Sequence, residues 1–446
     1  MKDENRGQEP KQAMSGAKAT DIARAVSPLR RAWYQRIMEA HDRGEFVCWT
    51  MWGVPEEIVA AFDVLPVLAE NYGPVCAAKQ MGAHFCQVAE SDGYSMDICS
   101  YLRTGLGISK RQAELGEPPP EAPYGGMGKP DFFIGFPLSC DGRAKWLQAV
   151  ARYLDAPYFC YDVRDFPGNR DPKDEAMKRH YVEHYYEQLK RLVAFLQRMT
   201  GKKLDKNRLS QHLDYWMKSS TLFSQACKLR GCHPNPLPAQ DLATVAFPNL
   251  HFKAYPEAVD FYQRLYDEVK HRAENKMSSI PGGEKYRIYW HRIMPWYYIG
   301  LYNWMEENFG ATTIPDEYHP GVLPPEDVID LDYPLESIAR KMYEGAWNVN
   351  GCVTHKSTYA LARYEHPSMF TGEYDIDGAI SMLVSSCRQC QDVYHSWRLV
   401  KESIGLPTLT IEADMVDDRT YSDALVKDML TAFMETVDEA KRRRQA

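Results

Sequence analysis

The 446-residue sequence lacks several features that mark common protein classes. It has no run of about 18 uncharged apolar residues, which a membrane-spanning helix requires. It also has neither a GxxxxGK[ST] loop nor a GxGxxG turn between a strand and a helix, so we expect no bound ATP, flavin or nicotinamide dinucleotide. No fixed-period repeat or low-complexity segment is present. The chain is therefore expected to be an ordinary globular protein without a nucleotide site of its own.

The sequence also has no excess of basic residues, since it contains 53 Lys and Arg residues and 61 Asp and Glu residues. The one basic cluster, Lys441–Arg444, is interpreted as a solvated helix end that complements the helix dipole. This balance disfavours nucleic-acid binding. The mixed charge of the first six residues indicates no secretory signal, so we expect a cytoplasmic location.

What the sequence does have is 11 cysteines. In a reducing compartment an odd number argues against a disulfide framework and leaves buried thiols or metal ligands. Cys99, Cys140 and Cys387 lie in contexts that suggest one shared iron–sulfur site, because thiolates are the usual ligands of such clusters. Their wide separation excludes a local zinc knuckle or ferredoxin loop.

Short apolar runs alternate with helical patterns, which is typical of parallel sheets. Eight segments are predicted as strands: Phe46–Trp49, Val64–Val67, Phe132–Phe136, Pro157–Tyr161, Arg287–Trp290, Ala311–Ile314, Ala379–Val384 and Thr408–Ile411. The expected fold class is α/β, with two doubly wound parallel-sheet domains, a helical insertion and an N-terminal helical arm. In such sheets ligands collect at the carboxyl ends of strands, and Cys140 and Cys387 each follow a predicted strand.

The predicted division of the chain is an N-terminal arm and helix over 1–44, a first α/β domain over 45–170, a helical region over 171–280 and a second α/β domain over 281–446. The first 20 residues are polar and are expected to be disordered or to lie on a partner. Ser27-Pro28 favours a helix start at that point, and Gly44 favours a stop.

Several segments carry a resemblance to a known family. They are Val54–Val59, Cys99–Arg103, Ser139–Asp141, and Asp377–Ile380 through Cys387 to Gly405–Pro407. As a set they resemble the 2-hydroxyacyl-coenzyme A dehydratase and benzoyl-coenzyme A reductase family. The sequences of the motifs are most similar to those of the larger, substrate-side subunit of the ATP-dependent benzoyl-coenzyme A reductases.

The resemblance implies a four-iron, four-sulfur (4Fe-4S) cluster held by Cys99, Cys140 and Cys387. It implies a cytoplasmic heterotetramer with a smaller homologous cluster-binding subunit and two ATPase subunits that deliver electrons, with reduced ferredoxin as the indirect donor. The implied activity is that of an oxidoreductase subunit in anaerobic aromatic degradation, which dearomatises an aromatic acyl-coenzyme A. Alternatives are a 2-hydroxyacyl-coenzyme A dehydratase subunit, or a non-catalytic electron carrier or scaffold.

Other cysteines are alternatives to the set implied by the resemblance. Cys390, which forms a CxxC with Cys387, and Cys352 each remain open as its replacement. The spacing of Cys227, Cys232 and His233 suggests a zinc site, but a fourth ligand at usable spacing is missing. The remaining cysteines are interpreted as packed thiols.

Acid and base residues are less well marked. Glu57 occupies the position of a family glutamate near substrate, although an exposed helix-start carboxylate is the alternative interpretation. Phe62-Asp63 stands where the family has a small residue and a glycine. His355 is the first choice as proton donor, and further candidates are His319, His366 and tyrosines.

The sequence also contains an aromatic stretch, which is expected either to line a planar acyl pocket or to pack in a core. Its residues are Trp290, Trp296, Tyr297, Tyr298 and Trp304.

Overall fold

A computed structural model describes most of the chain. The described residues are 16–137, 140–162, 174–291, 293–315, 328–353, 374–387 and 405–446. They form two four-stranded parallel sheets surrounded by helices. The predicted α/β class with two doubly wound parallel sheets is therefore confirmed.

The first sheet contains β1 (Phe46–Thr50), β2 (Val64–Leu68), β3 (Phe132–Gly135) and β4 (Tyr158–Cys160). Its order is β2-β1-β3-β4, and every neighbouring pair is parallel. Strands β1, β2 and β3 are largely apolar and almost wholly buried, as strands covered on both faces must be.

The second sheet repeats this arrangement with β5 (Tyr286–His291), β6 (Ala311–Pro315), β7 (Gly378–Leu383) and β8 (Thr408–Glu412). Its order is β6-β5-β7-β8, again parallel throughout. The strand order reverses between β1 and β3 in one sheet and between β5 and β7 in the other. Such switch points open a crevice at the carboxyl ends of the strands.

Fifteen α-helices lie within the described residues. They are α1 (Asp21–Arg24), α2 (Val26–Met38), α3 (Glu56–Ala61), α4 (Tyr72–Ala78), α5 (Gly82–Ser91), α6 (Ser100–Leu115), α7 (Gly142–Leu154), α8 (Glu175–Thr200), α9 (Lys206–Lys228), α10 (Ala239–Val245), α11 (Phe247–His251), α12 (Pro256–Glu274), α13 (Gly300–Phe309), α14 (Pro334–Val353) and α15 (Asp423–Gln445). Helices α8 to α12 form the helical region between the two sheets in sequence. The domain boundaries at 44, 170 and 280 remain predictions. None of the helices in the described part of the chain is long and apolar enough to cross a membrane.

Two hydrophobic cores hold the fold together. One surrounds the first sheet and includes the helical region, and the other surrounds the second sheet. Cys99 packs against both cores. The segment that carries this cysteine therefore lies at the boundary between the two halves.

The N-terminal segment is ordered earlier than predicted. Thr20 caps α1, and its hydroxyl and backbone N–H both donate to Asp241 at 2.7 Å. The backbone N–H of Ala19 donates to the same carboxylate at 3.1 Å. Because these groups bind within the chain, the prediction of an arm that stays free up to Thr20 is wrong for residues 16–20. A short helix occupies Asp21–Arg24, and the longer α2 begins at Val26, one residue before the predicted start at Ser27-Pro28. Gly44 stops the segment in the left-handed conformation, as predicted.

The basic C-terminal tail is also more than a solvated end. Lys441 and Arg444 on α15 bind the buried carboxylate of Asp377 at 2.8 and 2.9 Å. The next residue, Gly378, has no room for a side chain, because a Cβ there would lie 2.8 Å from Val437 on the same helix. The Asp-Gly pair of the motif thus docks the C-terminal helix at the start of β7. The interpretation of the tail as only a solvated helix end is wrong.

Candidate functional site

Cys140 and Cys387 occupy equivalent places in the two halves. Cys140 follows β3 and Cys387 follows β7, so each lies in the loop after the third strand of its sheet. These loops start at the carboxyl ends of the strands, beside the switch points. Cys387 is almost completely buried, whereas Cys140 is partly buried.

Two of the three cysteines also lie at helix N-termini. Cys99 immediately precedes α6, and Cys140 lies just before α7. The backbone N–H of the residue three positions ahead, Leu102 for Cys99 and Arg143 for Cys140, favours the thiolate form of each. Helix N-termini stabilise anionic groups in this way.

The fold brings the three sulfur atoms together. The thiols of Cys99 and Cys387 share a hydrogen bond, and that bond together with burial holds the pKa of Cys99 well above its usual range. Cys140 interacts electrostatically with both. Burial raises the pKa of Cys140 to about 11, although the nearby Arg143 guanidinium acts in the opposite direction. Three residues remote in the sequence are therefore neighbours in space.

The three converging side chains are all thiols. Among the described residues no group of three or more His, Cys, Asp or Glu side chains has the geometry to hold a metal ion. A four-iron cluster takes thiolates as its protein ligands. Three converging cysteines, two at helix N-termini, match that requirement.

Buried charges surround Cys140. The Arg143 guanidinium donates to the carbonyl of Trp52 and to the carboxylate of Glu70, both at 2.6 Å. Glu70 also accepts the backbone N–H of Trp52 at 3.2 Å. These bonds attach the start of α7 to the loop after β1 and to the segment after β2. The start of α7, next to Cys140, is therefore attached to two segments of the first sheet.

A second buried arginine, Arg103 on α6, lies one helical turn after Cys99. It donates to Asp417 at 2.9 Å and pairs with Asp414 at 3.8 Å. Asp414 in turn accepts the hydroxyl of Ser386, the neighbour of Cys387, at 2.7 Å. The sequence motifs contain Arg103 and Ser386, but only the fold reveals this connection, because the carboxylates between them come from another part of the chain.

The aromatic stretch mainly packs in the second core. Trp290, Tyr297 and Tyr298 are buried there, and Trp304 packs against Phe309. Trp296 differs, since its indole N–H donates to the Tyr101 hydroxyl at 2.5 Å. Because Tyr101 lies two residues after Cys99, this contact connects the stretch to the site.

Glu57 is buried, so the alternative of an exposed helix-start carboxylate is wrong. Its side chain is 0% exposed and pairs with Lys341 on α14. The Lys341 ammonium also lies 3.8 Å from the ring centre of Trp216. The second carboxylate oxygen of Glu57 has no hydrogen-bond partner among the residues that the structure describes. Sequence reasoning had no signal for this pair, since its members are far apart in the chain.

The turn after α3 keeps the shape that a glycine would give it. Asp63 has a φ of 58°, in the left-handed region. Its carboxylate binds Arg208 and Lys202, and the bond with Arg208 holds the pKa of Asp63 below its usual range. Aspartate tolerates this conformation better than most residues. Asp63 therefore adopts a backbone conformation that glycine also adopts readily.

Several predicted residues lie outside the described part of the chain. They are His355, His319, His366 and Cys390. Cys352 falls within α14, but its side chain is not described. The roles of these residues remain predictions. Cys227 is buried in α9, whereas His233 is exposed and pairs with Glu284 and Asp375.

Comparison with known proteins adds independent information. The model of the family "2-hydroxyglutaryl-CoA dehydratase, D-component" matches residues 51–437. The chain is 25% identical to the (R)-2-hydroxyisocaproyl-CoA dehydratase alpha subunit of Clostridioides difficile, over 94% of this chain and 96% of that one. It is 24% identical to a benzoyl-CoA reductase subunit of Thauera aromatica, over 92% of both chains. It is 23% identical to the lactoyl-CoA dehydratase alpha subunit of Anaerotignum propionicum, over 91% and 93%.

Proposed function

Because this chain belongs to the 2-hydroxyglutaryl-CoA dehydratase D-component family, we propose that it is the iron–sulfur active-site subunit of a benzoyl-CoA reductase. Family members are coenzyme A dehydratases or reductases, so an enzyme subunit is the common ground. The convergence of Cys99, Cys140 and Cys387 carries the proposal. These thiols would hold a 4Fe-4S cluster at the boundary between the two sheets.

The reaction explains why such a site is needed. Adding an electron to an aromatic ring removes its resonance, so the donor must be strongly reducing. A bound thiolate-ligated cluster supplies electrons of low potential, and burial and hydrogen bonds tune that potential. The chain's part is to keep the three thiols away from water. Packing of Cys99 against both hydrophobic cores supports that role.

Partners follow from the same proposal. The relatives are themselves named as subunits, so each is one component of a larger enzyme. We propose a smaller homologous cluster-binding subunit, two ATPase subunits that transfer electrons from reduced ferredoxin, and an aromatic acyl-coenzyme A as substrate. The absence of a phosphate-binding loop from the sequence supports separate ATPase subunits.

Protons must follow the electrons, and Glu57 and His355 are the proposed carriers. The side chain of Glu57 is buried and pairs with Lys341, so a carboxylate and an ammonium group lie side by side there. We propose that Glu57 acts as acid or base near the substrate and that His355 is a proton donor.

The cofactor part of the proposal is tested by anaerobic iron and sulfide determination with electron paramagnetic resonance on the purified subunit. We expect about four irons per chain and the signal of a reduced cluster. A chain that contains no iron after anaerobic purification, and that takes up none on reconstitution, would contradict it.

A 2-hydroxyacyl-CoA dehydratase subunit is the second candidate, because most of the named relatives are dehydratase subunits. In a dehydratase one electron is recycled to eliminate water, whereas a reductase consumes electrons at every turnover. The assay compares the assembled complex with benzoyl-CoA and with 2-hydroxyacyl-CoA thioesters. Stoichiometric use of ATP and reductant with benzoyl-CoA supports the reductase, and turnover of the hydroxyacyl thioester after one activating electron supports the dehydratase.

A further inference from the structure

We propose that Arg103 is a positioning residue that holds the Cys99 and Cys387 thiols together across the boundary between the two halves. The inference rests on the proposed function only in taking these thiols as cluster ligands. Its physical basis is a chain of buried contacts from the segment before α6 to the loop after β7. We call this set, formed by Arg103, Glu90, Asp414, Asp417 and Ser386, the arginine clamp.

On the Cys99 side, Arg103 fixes the backbone around the cysteine. Its Nε donates to the carbonyl of Ile98 at 2.8 Å, and its own backbone N–H donates to the carbonyl of Cys99 at 2.9 Å. Its Nη1 also donates to Glu90 on α5 at 2.5 Å. Arg103 therefore binds the two backbone carbonyl groups that flank the Cys99 Cα, one through its side chain and one through its backbone N–H.

On the Cys387 side, the same guanidinium reaches the segment after β8. The Oδ1 atom of Asp414 accepts the backbone N–H groups of Val416 and Asp417 at 2.9 and 3.0 Å, which gives this segment its shape. Its Oδ2 accepts the hydroxyl of Ser386 at 2.7 Å and faces Arg103 at 3.8 Å. One carboxylate thus connects the arginine to the residue before Cys387.

Burial gives the clamp its strength. The side chains of Arg103, Asp414 and Asp417 are 2%, 9% and 4% exposed. Arg419 closes the network at its outer side by binding Asp417 and Glu90. Arginine presents five donors in a rigid plane, which lysine does not, so this geometry requires arginine in particular. Outer partners of ligands typically change metal affinity by about 10- to 100-fold when removed.

The first test uses the full chain loaded with iron under anaerobic conditions, as wild type, Arg103→Gln, Arg103→Lys and Ser386→Ala. We expect Arg103→Gln to lose the cluster about 10- to 100-fold faster on exposure to a chelator and to change its reduction potential and paramagnetic signal. Arg103→Lys should be intermediate, because it keeps the charge but not all the bonds. Ser386→Ala removes one hydroxyl and keeps the test valid where Arg103→Gln does not fold.

Arg111→Gln is the matched control. Arg111 lies two turns farther along the same helix and pairs with Glu114 and Glu121, and its side chain is 32% exposed. Its replacement should leave cluster retention, potential and signal unchanged. Unchanged values for Arg103→Gln and Ser386→Ala as well would overturn the inference.

The second test does not depend on a cluster. In the iron-free full chain, diamide oxidises two adjacent thiols to a disulfide; the thiols lose two protons and two electrons, which convert the azo group to a hydrazine. We expect a Cys99–Cys387 disulfide in the wild type and in Arg111→Gln, identified by peptide mass spectrometry. Its formation should be about 10- to 100-fold slower in Arg103→Gln, since a shift of 1 Å has effects of that size.

The two tests separate the inference from the proposed function. A wild type that binds no iron but forms the disulfide quickly, with slowing in Arg103→Gln, contradicts the proposed function and supports the clamp. A wild type that binds about four irons, with disulfide formation unaffected by Arg103→Gln, supports the proposed cofactor and contradicts the clamp.

Discussion

The first and the second sheet have the same strand order, and each places one cysteine after its third strand. They differ in what is added to that frame. The first half inserts helices α4 to α6 between β2 and β3, and this insertion brings Cys99 to the boundary. The first half also contains the buried Glu57, on α3 after β1. In the second half the equivalent connection, between β6 and β7, contains α14 among its described residues, and the described loop after β5 contributes aromatic residues to the core.

This difference shows how a duplicated frame becomes an asymmetric site. The equivalent positions supply one sulfur atom each, so the proposed cluster, with three protein ligands, would need one more. Helix α6 follows Cys99, which would supply it, and Arg103 on this helix pairs with carboxylates of the opposite half. The shared strand order thus places Cys140 and Cys387, whereas the helices of the first half place Cys99.

The largest expected effect comes from removing the equivalent cysteines. Cys140→Ala and Cys387→Ala should each reduce turnover of the assembled complex more than about 100-fold, because even outer partners of ligands cost about 10- to 100-fold. Iron content and turnover measure the effect. Cys160→Ala is the control, since Cys160 ends β4 and is also partly buried. If Cys387→Ala retained full iron content while Cys140→Ala lost it, the two positions would not be equivalent.

The next effect contrasts the buried carboxylates of the two halves. Glu57→Gln leaves Lys341 buried without its carboxylate partner, so the free energy of unfolding should fall by about 3–5 kcal/mol. Asp377→Asn should cost about 1–3 kcal/mol, because Lys441 and Arg444 can reach water when released.

Urea unfolding of the full chain measures both changes, and the double variant Glu57→Gln, Lys341→Met is the control. It should recover much of the loss, since neither partner remains charged. Equal costs for Glu57→Gln and Asp377→Asn would remove this contrast between the halves.

Among the described residues, burial raises the pKa of a glutamate to about 7 in each half: Glu56 on α3 and Glu306 on α13. The pKa of each group is about 4.5 in the unfolded state and about 7 in the folded state. Between pH 4.5 and pH 7, the folded state therefore binds more protons than the unfolded state. The free energy of unfolding should therefore decrease as pH rises through this window, by up to about 3 kcal/mol for each group.

Urea unfolding between pH 4.5 and 8 measures this slope. Glu56→Gln and Glu306→Gln should each flatten it by a similar amount, and Glu114→Gln, on the surface, should leave it unchanged. A slope that only one of the two variants alters would place the pH dependence in one half alone.

The smallest effect concerns the residue before the second strand of each sheet. Asp63 precedes β2 and Gly310 precedes β6, with φ values of 58° and 67°. Asp63→Gly should change the free energy of unfolding by less than about 1 kcal/mol, because the turn is kept and its exposed ion pairs contribute little. Gly310→Asp should destabilise the protein by about 1–3 kcal/mol, because a Cβ there would lie 3.1 Å from Cγ of Lys285 and the neighbouring side chain must shift. A destabilising effect of the first variant that exceeds the second would contradict this interpretation.

Much of the fold could be predicted from the sequence, because its signals are local. All eight predicted strands are present. Apolar runs and turn residues act over a few positions, so one sequence is enough to recognise them. The two sheets and their shared pattern follow from the same signals.

The site could be predicted only in part. The positions of the three cysteines came from motif similarity, but the pairing of Glu57 with Lys341 and of Arg103 with Asp414 joins residues hundreds of positions apart. Propensity and periodicity do not report such pairs. For the same reason the basic tail looked solvated, although its partner Asp377 lies 67 positions before Arg444.

The distance along the chain between Cys99 and Cys387 sets an order of events during synthesis. The two are 387 minus 99, or 288, residues apart. At about 5–20 residues per second, a ribosome needs about 15–60 s to reach the later codon after the earlier one. During that interval the nascent chain contains Cys99, and later Cys140, but not yet Cys387. Insertion of the proposed cluster would therefore follow the synthesis of β7 and of Cys387 after it.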